Sequence, residues 1–322
     1  MPGSARYIGL LLLSWSLLSC ETETAEAPQN QPQDGIYEQA LADVEFFASD
    51  ELGGRETGSE GNRVAREFIE ARFDSLGLQM MGENYRQRFD QEINREESEA
   101  EVVGAYNLIG YVEGSAQPDR FIVLTAHYDH LGTRDGEIYN GADDNASGTA
   151  ALLAAADYFT QNPPDNSILF IAFDAEEKGL AGARYFVENP AVPLNQVALN
   201  INMDMISTNF ENELYAVGTA HYPYLKPWIE EFTEDAPVNV LFGYDTDEWD
   251  QNWTLASDHG PFHQKGVPFI YFGVEDHEHY HAPSDLFENI NPEFYHGAVE
   301  TIIKVIEGID EQLDEIAEES DP

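Results

Sequence analysis

NSILFIAFDAEEKGLAGARYFVEN, residues 166–189, is the stretch whose reading decides the fold. Ile168 to Phe173 carries no charge and no break, so a strand built from it must be buried on both faces. Four charged residues, Asp174, Glu176, Glu177 and Lys178, and Gly179 then interrupt the run, and AGARYFVEN begins a helix. QVALNINMD (196–204) and VPFIYFG (267–273) repeat the apolar strand. A last helix, read from Pro292 to Ile309, sets Val299, Ile302, Ile306 and Ile309 on one face. Near-continuous apolar strands separated by helices predict an α/β fold, a single domain with a mixed, mostly parallel sheet covered on both faces.

Upstream of this alternation, residues 35–47 read as a helix. GNRVAREFIEARFDSLGL (61–78) is a second helix, with Ala65, Ile69, Phe73 and Leu76 at helical spacing and Gly77 as its stop. Residues 83–101 read as one strand and an irregular acidic loop. AYNLIGYVEG (105–114) and RFIVLTAHYD (120–129) read as two strands joined by SAQPD in a hairpin-like connection.

The chain has 322 residues and a formal net charge of −46, from 15 basic and 61 acidic side chains. So acidic a surface repels nucleic acid and anionic membrane, and it suits a high-salt medium where screening shortens the self-repulsion. MPGSARYIGLLLLSWSLLSC opens the chain with one Arg6, an apolar stretch from Tyr7 to Leu18 too short to span a bilayer, and Cys20. Cys20 is the only cysteine, so no intrachain disulfide forms. LLSC resembles the lipobox of bacterial lipoproteins, which implies a signal peptide over 1–19 and a lipidated Cys20. Residues 20–35 then form an acidic tether, residues 36–312 the folded domain, and residues 313–322 an acidic tail. The expected location is the cell envelope, as an exported lipoprotein facing the periplasm or the outside, with membrane contact only through the lipid on Cys20.

Polar residues recur where the apolar strands stop. His127 and Asp129 follow FIVLTA, Glu176 and Glu177 follow ILFIAFDA, Asp204 follows LNINM, and His281 lies a little beyond PFIYFG. GADDNASGTA (141–150) adds Asp143 and Asp144, side by side ahead of a helix start. Singly, each has an ordinary reading: a helix cap for the aspartate pair, a solvated pair for the glutamates, a surface group for a histidine. Asp204 is harder to place so, because INMDM reads as a buried strand end and a buried carboxylate needs a partner. In open α/β sheets the ligand crevice lies outside the carboxyl ends of the strands, so these groups arrive at one rim. Two imidazoles and three carboxylates there suit a pair of borderline ions such as zinc.

Five blocks, AHYDH (126–130), YNGADDNASGTAALL (139–153), AFDAEEKGLAGARYF (172–186), NINMDM (200–205) and HYHAPSD (279–285), resemble in order the signatures of the di-zinc aminopeptidases of metallopeptidase family twenty-eight. The likeness extends from residue 36 to about 310. It implies a three-layer αβα domain and two Zn2+ ions. It also implies Asp144 as the carboxylate shared by both ions, His127 and Asp204 completing one, and Glu177 and His281 completing the other. Glu176 matches the general base, Asp129 the carboxylate that orients His127, and Tyr280 a hydrogen-bond donor to the developing oxyanion. A cis peptide at Asp144–Asn145 is common in the family. His277 and His279 compete with His281, but the Tyr-His-x-Pro-x-Asp pattern selects His281, with Asp285 capping the next helix or bracing that histidine. Asp258 and His259 match supporting residues. Trp249 and Trp253 read as a surface loop or a wall of the substrate pocket.

The implied activity is removal of N-terminal residues from peptides with water as the nucleophile. A carboxypeptidase or dipeptidase, for which Arg134 and Arg184 are the nearby cations, stays open. So do a glutaminyl cyclase and a non-catalytic binding lipoprotein on the same scaffold.

Overall fold

The computed structural model describes residue 3, residues 33–93 and residues 100–320; apart from residue 3, the segment read as a signal peptide, Cys20 and most of the segment read as a tether lie outside the described residues. From residue 33 onward the described residues form one compact unit. Helices α1 (Gln33–Phe47) and α2 (Glu60–Leu76) come first. The Ser59 hydroxyl caps α2 by accepting from the Asn62 N–H, and Gly77 ends it at φ 77°.

Strands β1 (Gln79–Met80), β2 (Arg86–Ile93), β3 (Glu101–Val112) and β4 (Gln117–His127) follow. A small separate ribbon, β5 (Gly132–Arg134) with β6 (Glu137–Tyr139), precedes α3 (Gly148–Gln161). Then come β7 (Asn166–Phe173), α4 (Ala181–Glu188), β8 (Val197–Met203), β9 (Glu213–Val217) and α5 (Leu225–Phe232). The chain closes with β10 (Asn239–Leu241), α6 (His259–Gln264), β11 (Phe269–Gly273) and α7 (Pro292–Ser320).

Among the described residues the main sheet has nine strands in the order β1-β3-β7-β4-β8-β11-β9-β10, with β2 also on β3. The central four, β7, β4, β8 and β11, are parallel; antiparallel pairs flank them on both sides. Strand periodicity divides the core in two. Ile168, Phe170 and Ala172 face a cluster with α1, α2, α3, α5 and α7, while Leu169, Ile171 and Phe173 face Phe186 of α4 and Phe262 of α6. Helices therefore cover both faces, and the fold is the expected three-layer α/β domain.

Two expectations are corrected. The hairpin-like reading of β3 and β4 fails, because β7 lies between them, antiparallel to β3 and parallel to β4. A run as apolar as Ile168–Phe173 requires a neighbour on each edge as well as cover on each face. Residues 113–116 cross its start, with Ser115 N–H donating to Pro164 O and Ala116 N–H to Asp165 O. Gly114 permits the crossing: a Cβ there would stand 2.5 Å from the Asn166 carbonyl carbon. Residues 313–320, read as part of an acidic tail, continue α7 instead, because Leu313 and Ile316 extend its apolar stripe and are buried.

Arg55 binds the pieces that carry the sheet's functional rim. Its fully buried guanidinium donates from Nε to Tyr128 O (2.9 Å), from Nη1 to Phe47 O and Asn140 O, and from Nη2 to Gly141 O (3.0 Å). It thus ties the end of α1 to the loops after β4 and before α3. Arg55→Met strands the buried carbonyls of Phe47, Tyr128 and Asn140, while Gly141 O keeps the Ala146 N–H; each stranded carbonyl is worth about 1–3 kcal/mol when left without a donor. A loss of about 3–5 kcal/mol in urea unfolding is expected after partial relaxation; a change within about 0.5 kcal/mol, the usual surface effect, would contradict this bracing.

Candidate active site

The parallel register sets the site. His127 on β4 stands beside Phe173 on β7, and Met203 on β8 beside Phe272 on β11, so four strands end along one rim. The turns beyond them deliver the polar groups. Ala175, directly before Glu176, has φ 60°, Met205, directly after Asp204, has φ 59°, and His281 itself has φ 50°. Such left-handed non-glycine positions are uncommon and cluster at functional sites.

His127, Asp144 and Asp204 converge. His127 Nε2 lies 3.4 Å from Asp144 Oδ1 and 3.4 Å from Asp204 Oδ1. On the other side of Asp144, His281 Nε2 lies 3.1 Å from its Oδ2 and 3.5 Å from Glu177 Oε1. All five sequence-read metal positions therefore meet around one carboxylate, Asp144, which offers one oxygen to each group. The peptide Asp144–Asn145 is cis. His277 and His279 are engaged elsewhere, with Asp143 Oδ2 (2.8 Å) and the Ser284 hydroxyl (3.0 Å), which leaves His281 as the histidine at the cluster.

The supporting roles differ in detail from those expected. Asp129 does orient His127, but through its main-chain carbonyl, 3.1 Å from Nδ1; its carboxylate stands 3.8 Å away, beyond hydrogen-bond reach. That carboxylate instead accepts the N–H groups of Glu176 (3.0 Å) and Glu177 (3.4 Å), and the Thr57 hydroxyl. It fixes the turn that carries the two glutamates. Asp285 neither caps a helix nor touches His281: its two oxygens accept the N–H groups of Asp143 and Asp144 at 2.9 and 3.0 Å. Asp143 accepts the Ser207 N–H and hydroxyl, both at 2.7 Å. The adjacent aspartates thus have separate tasks, one facing the cluster and one holding the loop behind it.

Electrostatics follow from this crowding. Burial disfavours ionised Asp144, yet the imidazoles of His130, His127 and His281 hold its carboxyl well below the usual range. Burial and Asp144 oppose ionised Glu177, and His130 and His281 outweigh them, bringing it to about 2. The same carboxylates overcome burial at His281 and raise it to about 10. Burial pushes Glu176 well above its ordinary value, His127 opposing and Asp258, Glu177 and Asp204 adding to the rise. Asp258, buried with neither oxygen hydrogen-bonded, is lifted to about 7 by burial and by Asp204, His127 counteracting.

The cluster opens into a cavity of about 630 Å³, lined among others by Glu176, Arg184, Gln251, Trp253, Asp276 and Tyr280. Trp253 is a wall, stacked on Tyr244 at 3.9 Å; Trp249 packs on the outer face of Tyr244 and does not line the cavity. Tyr280 stacks on His281 at 4.0 Å, and burial raises its hydroxyl, keeping it protonated as a donor. Arg134 lies over the Tyr139 ring, away from the cavity lining.

The donor set fits zinc. Two groups, His127 with Asp144 and Asp204, and His130 with Asp144 and Glu177, each bring their ligand atoms within 4.8 Å of one another. Glu177 Oε1 is buried with no hydrogen-bond partner, an arrangement a carboxylate tolerates only beside a cation. Two contributors escaped the sequence reading. Arg55 carries no periodicity that marks it as buried. His130 stands three residues beyond His127 in the same block, and that closeness was the available signal.

Comparisons with known proteins identify the fold and the family. The chain is 36% identical over 185 residues to aminopeptidase YwaD of Bacillus subtilis (strain 168), a stretch covering 55% of this chain but 38% of that protein. In fold it is similar to BSAP, a zinc aminopeptidase from Bacillus subtilis, with a TM-score of 0.68, 18% identity and coverage of 84% and 94% of the two chains. A glutaminyl cyclase from Porphyromonas gingivalis gives a TM-score of 0.66 at 21% identity, covering 86% and 98%. The family model described as Peptidase family M28 matches residues 107–306, more than half of the sequence and every residue of the cluster. The chain belongs to peptidase family M28.

Proposed function

We propose that this chain is a zinc-dependent exopeptidase, an aminopeptidase that holds two Zn2+ ions and releases N-terminal residues from peptides. The observation that carries it is Asp144, whose two oxygens serve two separate groups of ligands while Glu176 stays free beside them. His127, Asp144 and Asp204 would hold one ion; Asp144, Glu177 and His281 the other. Zinc, when bound, supplies Lewis acidity that polarises a carbonyl and acidifies a water.

The chain's own groups do the rest. Glu176 accepts no side-chain hydrogen bond among the described residues, and burial raises its proton affinity, so it takes a proton from water and returns it to the leaving amine. Tyr280 donates from its hydroxyl to the oxygen that gains charge. The carboxylates of the cavity wall, Asp276 included, favour a free α-ammonium and so confine cleavage to the first residue. One observation favours a second reading: Arg184 is the one Arg or Lys among the lining residues and suits a substrate carboxylate, as a dipeptidase or carboxypeptidase needs.

At the level of the cell, the reading is an exported lipoprotein anchored through Cys20. The apolar segment 7–18 and LLSC support it. No helix among the described residues is long and apolar enough to cross a membrane. Labelled palmitate is expected to enter the full chain and not Cys20→Ala; equal labelling of both would remove the anchor.

Activity is tested on matched free and N-acetylated peptides with and without chelator. Cleavage confined to free amino termini and abolished by chelator is expected; release of C-terminal residues from acetylated peptides would instead support the second reading. Glu176→Gln is expected to keep the bound zinc and lose about 10²–10⁴-fold in kcat. Undiminished turnover in the zinc-loaded variant would remove Glu176 from the proton-transfer role.

A further inference from the structure

We propose that His130 is itself a metal ligand, so that the ion held with Glu177 and His281 takes four protein donors rather than three; this rests on the zinc reading above. His130 is fully buried, directly behind the shared aspartate. Its Nδ1 stands 2.9 Å from Glu177 Oε1 and 3.8 Å from Asp144 Oδ2. At 2.9 Å a hydrogen bond would be the ordinary reading, but the direction is wrong. Glu177 Oε1 and both ring nitrogens of His130 have no hydrogen-bond partner. Two polar atoms that touch without pointing at each other are arranged as ligands are, each directed at a third point.

The distances fit such a point. Four edges among His130 Nδ1, Glu177 Oε1, Asp144 Oδ2 and His281 Nε2 measure 2.9, 3.8, 3.1 and 3.5 Å. A tetrahedron with zinc bonds of about 2.0–2.1 Å has edges of about 3.3–3.4 Å, and the four measured edges bracket that length. The backbone is shaped for the approach. Gly141, at φ 59°, lies against the imidazole, where a Cβ would stand 2.6 Å from the ring and 2.1 Å from Asp144 O. Any side chain at 141 would push the ring or the Asp144 loop out of place.

The consequence is an asymmetric pair. His127, Asp144 and Asp204 leave their ion open positions for water and substrate, as a catalytic site requires, whereas the four-donor set resembles the closed coordination of a structural ion. The ion on the His130 side is therefore the harder to remove.

The test is zinc titration of the folded full chain against a chromophoric chelator, for wild type, His130→Ala and His130→Gln, together with imidazole counting by zinc X-ray absorption. Wild type is expected to bind two ions, with three imidazoles per pair. Both variants are expected to weaken one site by about 100-fold or more, the upper end of what losing a supporting partner does, and to fall to two imidazoles per pair. The unchanged affinity of the other site reports that the variants are folded. Glutamine separates ligation from hydrogen bonding, since its amide can donate to Glu177 but is a poor zinc ligand. Recovery of affinity in His130→Gln, or two unweakened sites in His130→Ala, would overturn the proposal and leave the zinc reading standing. A wild-type chain that binds no zinc would overturn both.

Discussion

Four carboxylates at one sheet rim, Asp144, Glu176, Glu177 and Asp204, are the constraint on which the rest of the structure depends. Two unit charges 4 Å apart repel by about 4 kcal/mol at the effective dielectric of a protein surface, and these groups are more buried than that. Three imidazoles, His127, His130 and His281, are interleaved with them. Against the opposition of burial, the carboxylates hold His281 near 10, and His130 and His281 beside Glu177 hold it near 2. Dications would satisfy the same field more completely, because Asp144, Glu177 and Asp204 would each gain a short bond and each imidazole would offer a lone pair, with Glu176 left free. The site therefore reads as a cation cage that its own protons only partly fill.

Such a cage needs bracing, and the braces are mostly backbone contacts. Asp285 grips the N–H groups of Asp143 and Asp144, Asp129 those of Glu176 and Glu177, and Arg55 the carbonyls of Tyr128, Asn140 and Gly141. The loops that supply His127, Asp144 and Glu177 are thus each tied to a charged side chain behind them. Precision in the site comes from these second contacts more than from the ligands themselves.

Much of this was legible in the sequence. The apolar runs ending in Phe173, Met203 and Gly273 locate the central strands, and parallel strands must end on one side, so the ligands after them must meet. The Tyr-His-x-Pro-x-Asp pattern separates His281 from His277 and His279. Strand partners were not legible: residues 105–129 look like a hairpin because sequence adjacency is the usual guide to pairing, and nothing local announces that β7 inserts between them. Residues 313–320 look like tail because their acids dominate the composition, while only Leu313 and Ile316 carry the helical stripe. Arg55 and His130 act through fully buried contacts with residues distant in the chain, which no local pattern reports.

The most direct measurement is an anomalous-difference map at the zinc edge from crystals grown with the metal. Two peaks are expected, one among His127, Asp144 and Asp204, the other among Asp144, Glu177 and His281, with Asp144 touching both. Peaks only at the surface, or two ions with no shared carboxylate, would contradict the central claim.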